Sequence, residues 1–178
     1  MGNLLKERKG IGVIIARLQV PYLTASHKAT INTVLERHKR VVIFLGVSQD
    51  PMDFKNPYPF DFRKQMVRQT FGDDKNINIL PLPDKRNDNK GWVDTLDSFI
   101  SALLSNGEDA ILYGGRDSFI PYYRKDNGKF QCVELAASDY DSGTQLRELT
   151  ATDMPTYTPE SAQAILWAIK QLENNGKT

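Results

Sequence analysis

Apolar residues along this chain fall into two rhythms. Short apolar runs rich in β-branched residues occur at residues 10–16 (GIGVIIA) and 40–46 (RVVIFLG), and 77–82, 109–113 and 130–135 read as three further strands. Runs of that length and composition suit strands buried on both faces. Between them the spacing becomes helical. Ile31, Val34 and Leu35 share a face within 28–39, with Arg37, Lys39 and Arg40 near its end, where cations suit the helix dipole. Phe62, Met66 and Val67 do the same within 60–71. A third helix opens at Trp92 and carries Val93, Leu96, Phe99, Ile100 and Leu103 on one side. Pro81 and Pro83 close the third strand, residues 49–59 form a long polar loop punctuated by proline, and 84–91 (DKRNDNKG) form a hydrophilic one. A last helix is expected over 158–174, with Thr158 as N-cap, Pro159 at the first helical position and Glu160 in the first turn.

Strands alternating with helices predict an α/β protein: a Rossmann-like, three-layer α/β/α arrangement around a mainly parallel five-stranded sheet. The 178 residues suit a single domain spanning 1–178, with the C-terminal helix packed on it. In such sheets ligands bind beyond the carboxyl ends of the strands, near the point where strand order reverses. The segments following the first, third and fourth strands are therefore the places to look for chemistry.

Composition narrows the field. A formal net charge of +1 offers no broad basic surface for nucleic acid. The single Cys132 excludes an intrachain disulfide framework and a cysteine zinc site, and reads as a small core residue of a cytoplasmic protein. No stretch approaches the roughly 18 apolar residues of a membrane span, and residues 1–9 lack the apolar core of a secretory signal. His38, at a helix end beside Arg37 and Lys39, is expected at the surface, and Trp167 in packing.

Two segments carry candidate chemistry. In 16–28 (ARLQVPYLTASHK) a buried strand gives way to Arg17 and Gln19, a proline turns the chain, and Thr24 and His27 precede a helix. The free N–H groups and positive dipole of that helix start favour a phosphate, to which a histidine can also donate. Equally, Thr24 serves as a plain N-cap and His27 as a first-turn histidine. In 141–149 (DSGTQLREL), Ser142 and Thr144 can cap a helix, Gly143 admits close backbone approach, and Arg147 lies one turn in, suited to bidentate phosphate contact. Neither segment is a P-loop, since GxxxxGK[ST] is absent.

Taken in order, these segments resemble the nucleotidylyltransferase superfamily, marked by (H/T)xGH after the first strand and an ISxTxxR-like motif late in the chain. More narrowly they resemble the nicotinamide mononucleotide adenylyltransferases of the archaeal and bifunctional bacterial type. The GRxQP stretch of that family is matched by Arg17, Gln19 and Pro21. Its basic–polar–proline–aromatic marker is matched by Lys55-Asn56-Pro57-Tyr58 followed by Arg63. Its proline–aspartate loop leading to Trp-Val is matched from Pro83-Asp84 to Trp92-Val93, and its SGTxxR by Ser142-Gly143-Thr144 and Arg147. Gly114-Gly115-Arg116-Asp117 with Tyr122-Tyr123 resembles a glycine–aspartate–tyrosine stretch of the bifunctional members. The chain departs from the pattern at Ser26, where the family has glycine, so a Cβ and a hydroxyl stand where the backbone nears the α-phosphate.

The resemblance implies adenylyl transfer from ATP to nicotinamide mononucleotide, giving NAD and pyrophosphate, by in-line attack with no covalent enzyme intermediate. It implies His27 and Thr24 at the α-phosphate and Arg147 at the β,γ-phosphates. Arg17, Gln19, Ser26, Lys55, Ser142, Gly143 and Thr144 complete the ATP site. Trp92, Asp84, Arg63 and Asp117 are implied around the acceptor, with Trp92 stacking on the pyridine ring. It also implies Mg²⁺ arriving with ATP, with no metal ligand assigned, and assembly into a homo-oligomer. The length leaves no room for the second, Nudix-type domain of bifunctional relatives. Two other readings stay open: the same chemistry on another acceptor (phosphopantetheine or a cytidylyl-accepting alcohol phosphate), and a nucleotide sensor that kept the fold without turnover.

Overall fold

A computed structural model describes residues 10–115, 118–136 and 169–170. Its elements run β1 (Ile11–Ala16), α1 (Ala25–Leu35), β2 (Arg40–Val47), α2 (Phe60–Phe71), β3 (Ile77–Pro83), α3 (Asn89–Leu103), β4 (Ala110–Gly114), α4 (Ile120–Lys125) and β5 (Gln131–Glu134). The strands form one sheet in the order β3-β2-β1-β4-β5, and every pairing is parallel. The strand order reverses between β1 and β4, as the Rossmann-like expectation requires.

Alternation along β2 shows how the three layers arise. Val41, Ile43 and Leu45 face one core with Val34, Met66 and Val67 of α1 and α2. Val42 and Phe44 face the other, with Val93, Leu96 and Ile100 of α3 and Tyr123 of α4. Every side chain of β2 from Val41 to Leu45 is fully buried, which is why the run reads as continuously apolar rather than alternating. Pro81 pairs with Leu45 inside β3 rather than ending it. The sheet tolerates it because β3 is an edge strand, where a missing N–H costs no ladder bond.

Several local expectations are corrected. α1 begins at Ala25, ahead of 28 but where the N-cap reading of Thr24 places it, and His27 in the first turn completes a capping box. α3 begins at Asn89, ahead of Trp92, because the Asp88 side chain accepts from the Gly91 N–H at 2.8 Å. α4, with Pro121 in its first turn, falls in a stretch where no helix was expected. His38 is buried rather than superficial, at 2% exposure. Its Nδ1 donates to the Gly10 carbonyl (3.2 Å), and its Nε2 accepts from the Tyr113 hydroxyl (2.8 Å). Gly12 makes room for this histidine, since a Cβ there would meet Val34 Cγ1 at 2.4 Å and His38 Cδ2 at 2.8 Å. Cys132 is half-buried against the second core, and burial pushes its thiol pKa up.

Of the expected C-terminal helix, Ile169 and Lys170 are described, and both are helical. Lys170 Nζ lies 5.5 Å from the centre of the Phe54 ring. Trp167 lies outside the described residues. Among the described residues no helix is long and apolar enough to cross a membrane.

Candidate functional site

Two adjoining clefts, of about 370 and 610 Å³, open beyond the carboxyl ends of the strands and share Arg17, Asp84, Trp92, Phe119 and Tyr122. Arg17 directly follows β1 and Asp84 directly follows β3. The Asp84 N–H donates to the Val47 carbonyl at 2.8 Å, which extends the β2–β3 pairing to the cleft edge. Trp92 enters from the first turn of α3, and Phe119 and Tyr122 from the segment after β4. The larger cleft reaches down to Ala16, Gly46, Leu82 and Gly115, so it sits over the reversal of strand order.

Charge at the cleft is arranged in pairs. Arg17 Nη2 donates to Asp84 Oδ2 at 2.8 Å, and Nη1 reaches Asn56 Oδ1 at 3.3 Å. Arg86 pairs with Asp50 across the smaller cleft. Trp92 is half-buried, its ring 6.2 Å from that of Phe119 at an angle of 54°, so one aromatic supports the other.

Arg63 lies behind this wall with 2% of its surface exposed. Its Nη1 donates to the carbonyls of Arg17 (2.6 Å) and Gly46 (2.9 Å), tying α2 to the ends of β1 and β2. Burial, then the Arg17 cation, lower its pKa to about 10, with Asp84 opposing. The guanidinium therefore stays charged at neutral pH. Leu18, between Arg17 and Gln19, has a φ of 48° while its side chain is buried. A β-unbranched leucine in the left-handed region is unusual, and tertiary contacts hold it there. Gln19 is also buried; its Nε2 donates to the Tyr58 carbonyl (3.1 Å) and its Oε1 accepts from the Tyr58 N–H (2.9 Å).

Thr24 and His27 meet at the start of α1. The His27 N–H donates to Thr24 Oγ1 (3.3 Å), and the Thr24 N–H donates to His27 Nδ1 (3.2 Å). Accepting at Nδ1 leaves the proton of the neutral ring on Nε2, so His27 presents a donor. Burial lowers its pKa, which keeps the ring neutral. Because folded His27 resists protonation below the ordinary value of about 6.5, the unfolded chain binds more protons in that window. Stability should therefore decline as the pH falls from about 7.5 to about 5.5. Thermal unfolding across that range should show a smaller drop in Tm for His27→Gln than for the native chain, and an equal drop would refute the assignment.

The structure thus brings Arg17, Asp84 and Trp92 together on one cleft, with Arg63 and Gln19 behind and beside them. Thr24 and His27 join each other, but neither lines these two clefts, and Ser26 is the half-buried second residue of α1. Lys55 is exposed and lines neither cleft, although its neighbour Asn56 touches Arg17. Asp117, Ser142, Gly143, Thr144 and Arg147 lie outside the described residues. Asp50, Lys85, Arg86, Phe119 and Tyr122 are cleft residues that had no assigned role in the sequence. For Asp50, Lys85, Arg86 and Phe119 the signal was position after β2, β3 and β4, whereas Tyr122, in α4, belonged to the glycine–aspartate–tyrosine stretch.

No protein-family model matches the chain. It is 30% identical over 139 residues to the nicotinamide/nicotinic acid mononucleotide adenylyltransferase of Acinetobacter baylyi, covering 76% of this chain and 72% of that protein. Among solved structures, it superposes on a bifunctional NMN adenylyltransferase/ADP ribose pyrophosphatase from Francisella tularensis with a TM-score of 0.72 at 24% identity. That match covers 82% of this chain and 43% of the other, so the chain spans less than half the length of that structure. A second structure of that description, complexed with AMP and a Mn ion, gives a TM-score of 0.71 at 20% identity, covering 96% of this chain and 57% of the other. The NadR protein in complex with NAD and AMP-PNP gives 0.60 at 20% identity, covering 82% and 43%.

Proposed function

The chain belongs to the nicotinamide mononucleotide adenylyltransferases, within the nucleotidylyltransferases, and from that membership we propose that it transfers the adenylyl group of ATP to a pyridine mononucleotide. The convergence of Arg17, Asp84 and Trp92 on one cleft over the strand-order reversal supports this most directly. A flat pyridine ring gains from an indole wall, whereas an alcohol phosphate gains little from it.

In the proposed reaction a phosphate oxygen of the mononucleotide attacks the α-phosphorus of ATP. A P–O bond forms there as the bond to the β-phosphate breaks, and pyrophosphate leaves. No side chain needs to act as nucleophile. The chain contributes position and charge compensation. His27 would donate its Nε2–H to the α-phosphate, with Thr24 fixing the tautomer from the other side of the ring. Arg17, paired with Asp84, would border the ATP site, its main-chain carbonyl held by Arg63 from behind. Arg147, with Ser142, Gly143 and Thr144, would take the β,γ-phosphates, and Ser26, Lys55 and Asp117 complete the proposed set.

A divalent ion would come with the triphosphate and screen its charge. Among the described residues there is no group of three or more His, Cys, Asp or Glu that could hold a metal ion, and no ligand is assigned to it.

The test is direct. Mixed with Mg-ATP and nicotinamide or nicotinic acid mononucleotide, the protein should release pyrophosphate and dinucleotide in equal amounts. ATP binding without pyrophosphate from either mononucleotide, or from phosphopantetheine, would instead identify a sensor.

A further inference from the structure

We propose that Lys85 biases the acceptor site toward a mononucleotide whose pyridine ring carries a carboxylate rather than a carboxamide. This rests on the acceptor cleft of the proposed function. The charges lining the smaller cleft are Arg17, Lys85 and Arg86 against Asp50 and Asp84. Arg17 is matched by Asp84 at 2.8 Å, and Arg86 by Asp50. Lys85, on the loop between these two pairs, has no acidic partner within ion-pair distance among the described residues. Among the described residues, the cleft that Trp92 lines therefore carries one positive charge without a matching acid.

The two acceptor chemistries differ by that one charge. A carboxamide is neutral and needs only a donor and an acceptor, so a nearby ammonium adds little to its binding. A carboxylate brings a full negative charge, attracted by an unbalanced cation and repelled by unbalanced acids. Here the Asp84 carboxylate, the acid nearest in sequence, is already occupied by Arg17. The Asp84 N–H bond to Val47 fixes where this loop leaves β3, so Lys85 is delivered to the cleft by the sheet itself. Its ammonium on a flexible stem can follow a carboxylate without requiring a bidentate geometry.

The experiment compares the Kd of nicotinic acid mononucleotide with that of nicotinamide mononucleotide by calorimetry, which reads the ratio whether or not turnover occurs. The native chain should bind the acid form at least as tightly as the amide. Lys85→Met should shift the ratio toward the amide by about fivefold, the size of one solvent-facing ion pair. Lys85→Arg should keep the native ratio, and Lys85→Glu should move it further than methionine does. A Lys85→Met ratio within about twofold of the native one overturns the proposal. Parallel pyrophosphate assays keep the two claims apart. A shifted Kd ratio without dinucleotide formation leaves the selectivity standing and removes adenylyl transfer, whereas turnover with an unmoved ratio does the reverse.

Discussion

Replacing His27 with alanine should lower kcat/KM for dinucleotide formation by about 10²–10³, the usual loss when one donor to a developing phosphate charge is removed. The expectation follows from the proton on Nε2. The Thr24 N–H occupies Nδ1, and burial disfavours the doubly protonated ring, so a neutral donor is presented at the mouth of α1. The fold should barely notice. Thr24 would still cap the backbone, and losing the histidine half of the capping box should cost about 1 kcal/mol or less. Steady-state rates and thermal melts on the same preparation check both halves. A variant that keeps more than about a fifth of native kcat/KM would remove His27 from the chemistry.

Arg63→Ala should destabilise the protein by about 3 kcal/mol, because the carbonyls of Arg17 and Gly46 lose their donor in a place with little access to water. For a chain of this size that corresponds to a fall in Tm of roughly 6–12 °C. Arg63→Lys should recover part of the loss, since one nitrogen, Nη1, serves both carbonyls and an ammonium also has donors for two, but on a shorter side chain. Activity measured well below the new Tm should also fall, because Arg17 is anchored through the carbonyl that Arg63 holds. Differential scanning calorimetry together with kcat/KM at low temperature separates the two effects. An unchanged Tm would show that water replaces the guanidinium at no cost.

How much of this was legible in the sequence depends on what determined each feature. The inner strands were, because β-branched runs buried on both faces carry their own signature; β2 is the clearest case, whereas β5 has exposed ends. Helix starts were legible in part, since α2 covers the expected 60–71 and Thr24 reads as an N-cap, but their cap chemistry was not. The cap at Thr24 is completed by a histidine where a capping box ordinarily has Glu or Gln, and Asp88 caps α3 from within a run so polar that it reads as loop. α4 is too short, at 6 residues, to show periodicity. His38 looks like a surface residue from its charged neighbours. Its burial is decided by Tyr113, far along the chain and next to it only once β1 and β4 pair. The same logic applies to the site. Arg17, Asp84 and Trp92 could be placed from short motifs because each sits at the end of a strand or the start of a helix. Phe119 and Tyr122 become neighbours of that trio only through the sheet order, which no local pattern encodes, whereas Lys85 directly follows Asp84.

The twin bonds between Gln19 and the Tyr58 backbone make a primary amide do the work of a peptide unit. A carboxamide has one donor and one acceptor side by side, so Gln19 pairs with residue 58 as a neighbouring strand would. Glutamate lacks the donor and asparagine is a methylene too short. The 49–59 connection, otherwise polar and largely surface-lying, thereby acquires an internal fixed point. Slow amide hydrogen exchange at Tyr58, flanked by fast exchange nearer Asp50, is the mark such a tether leaves in solution.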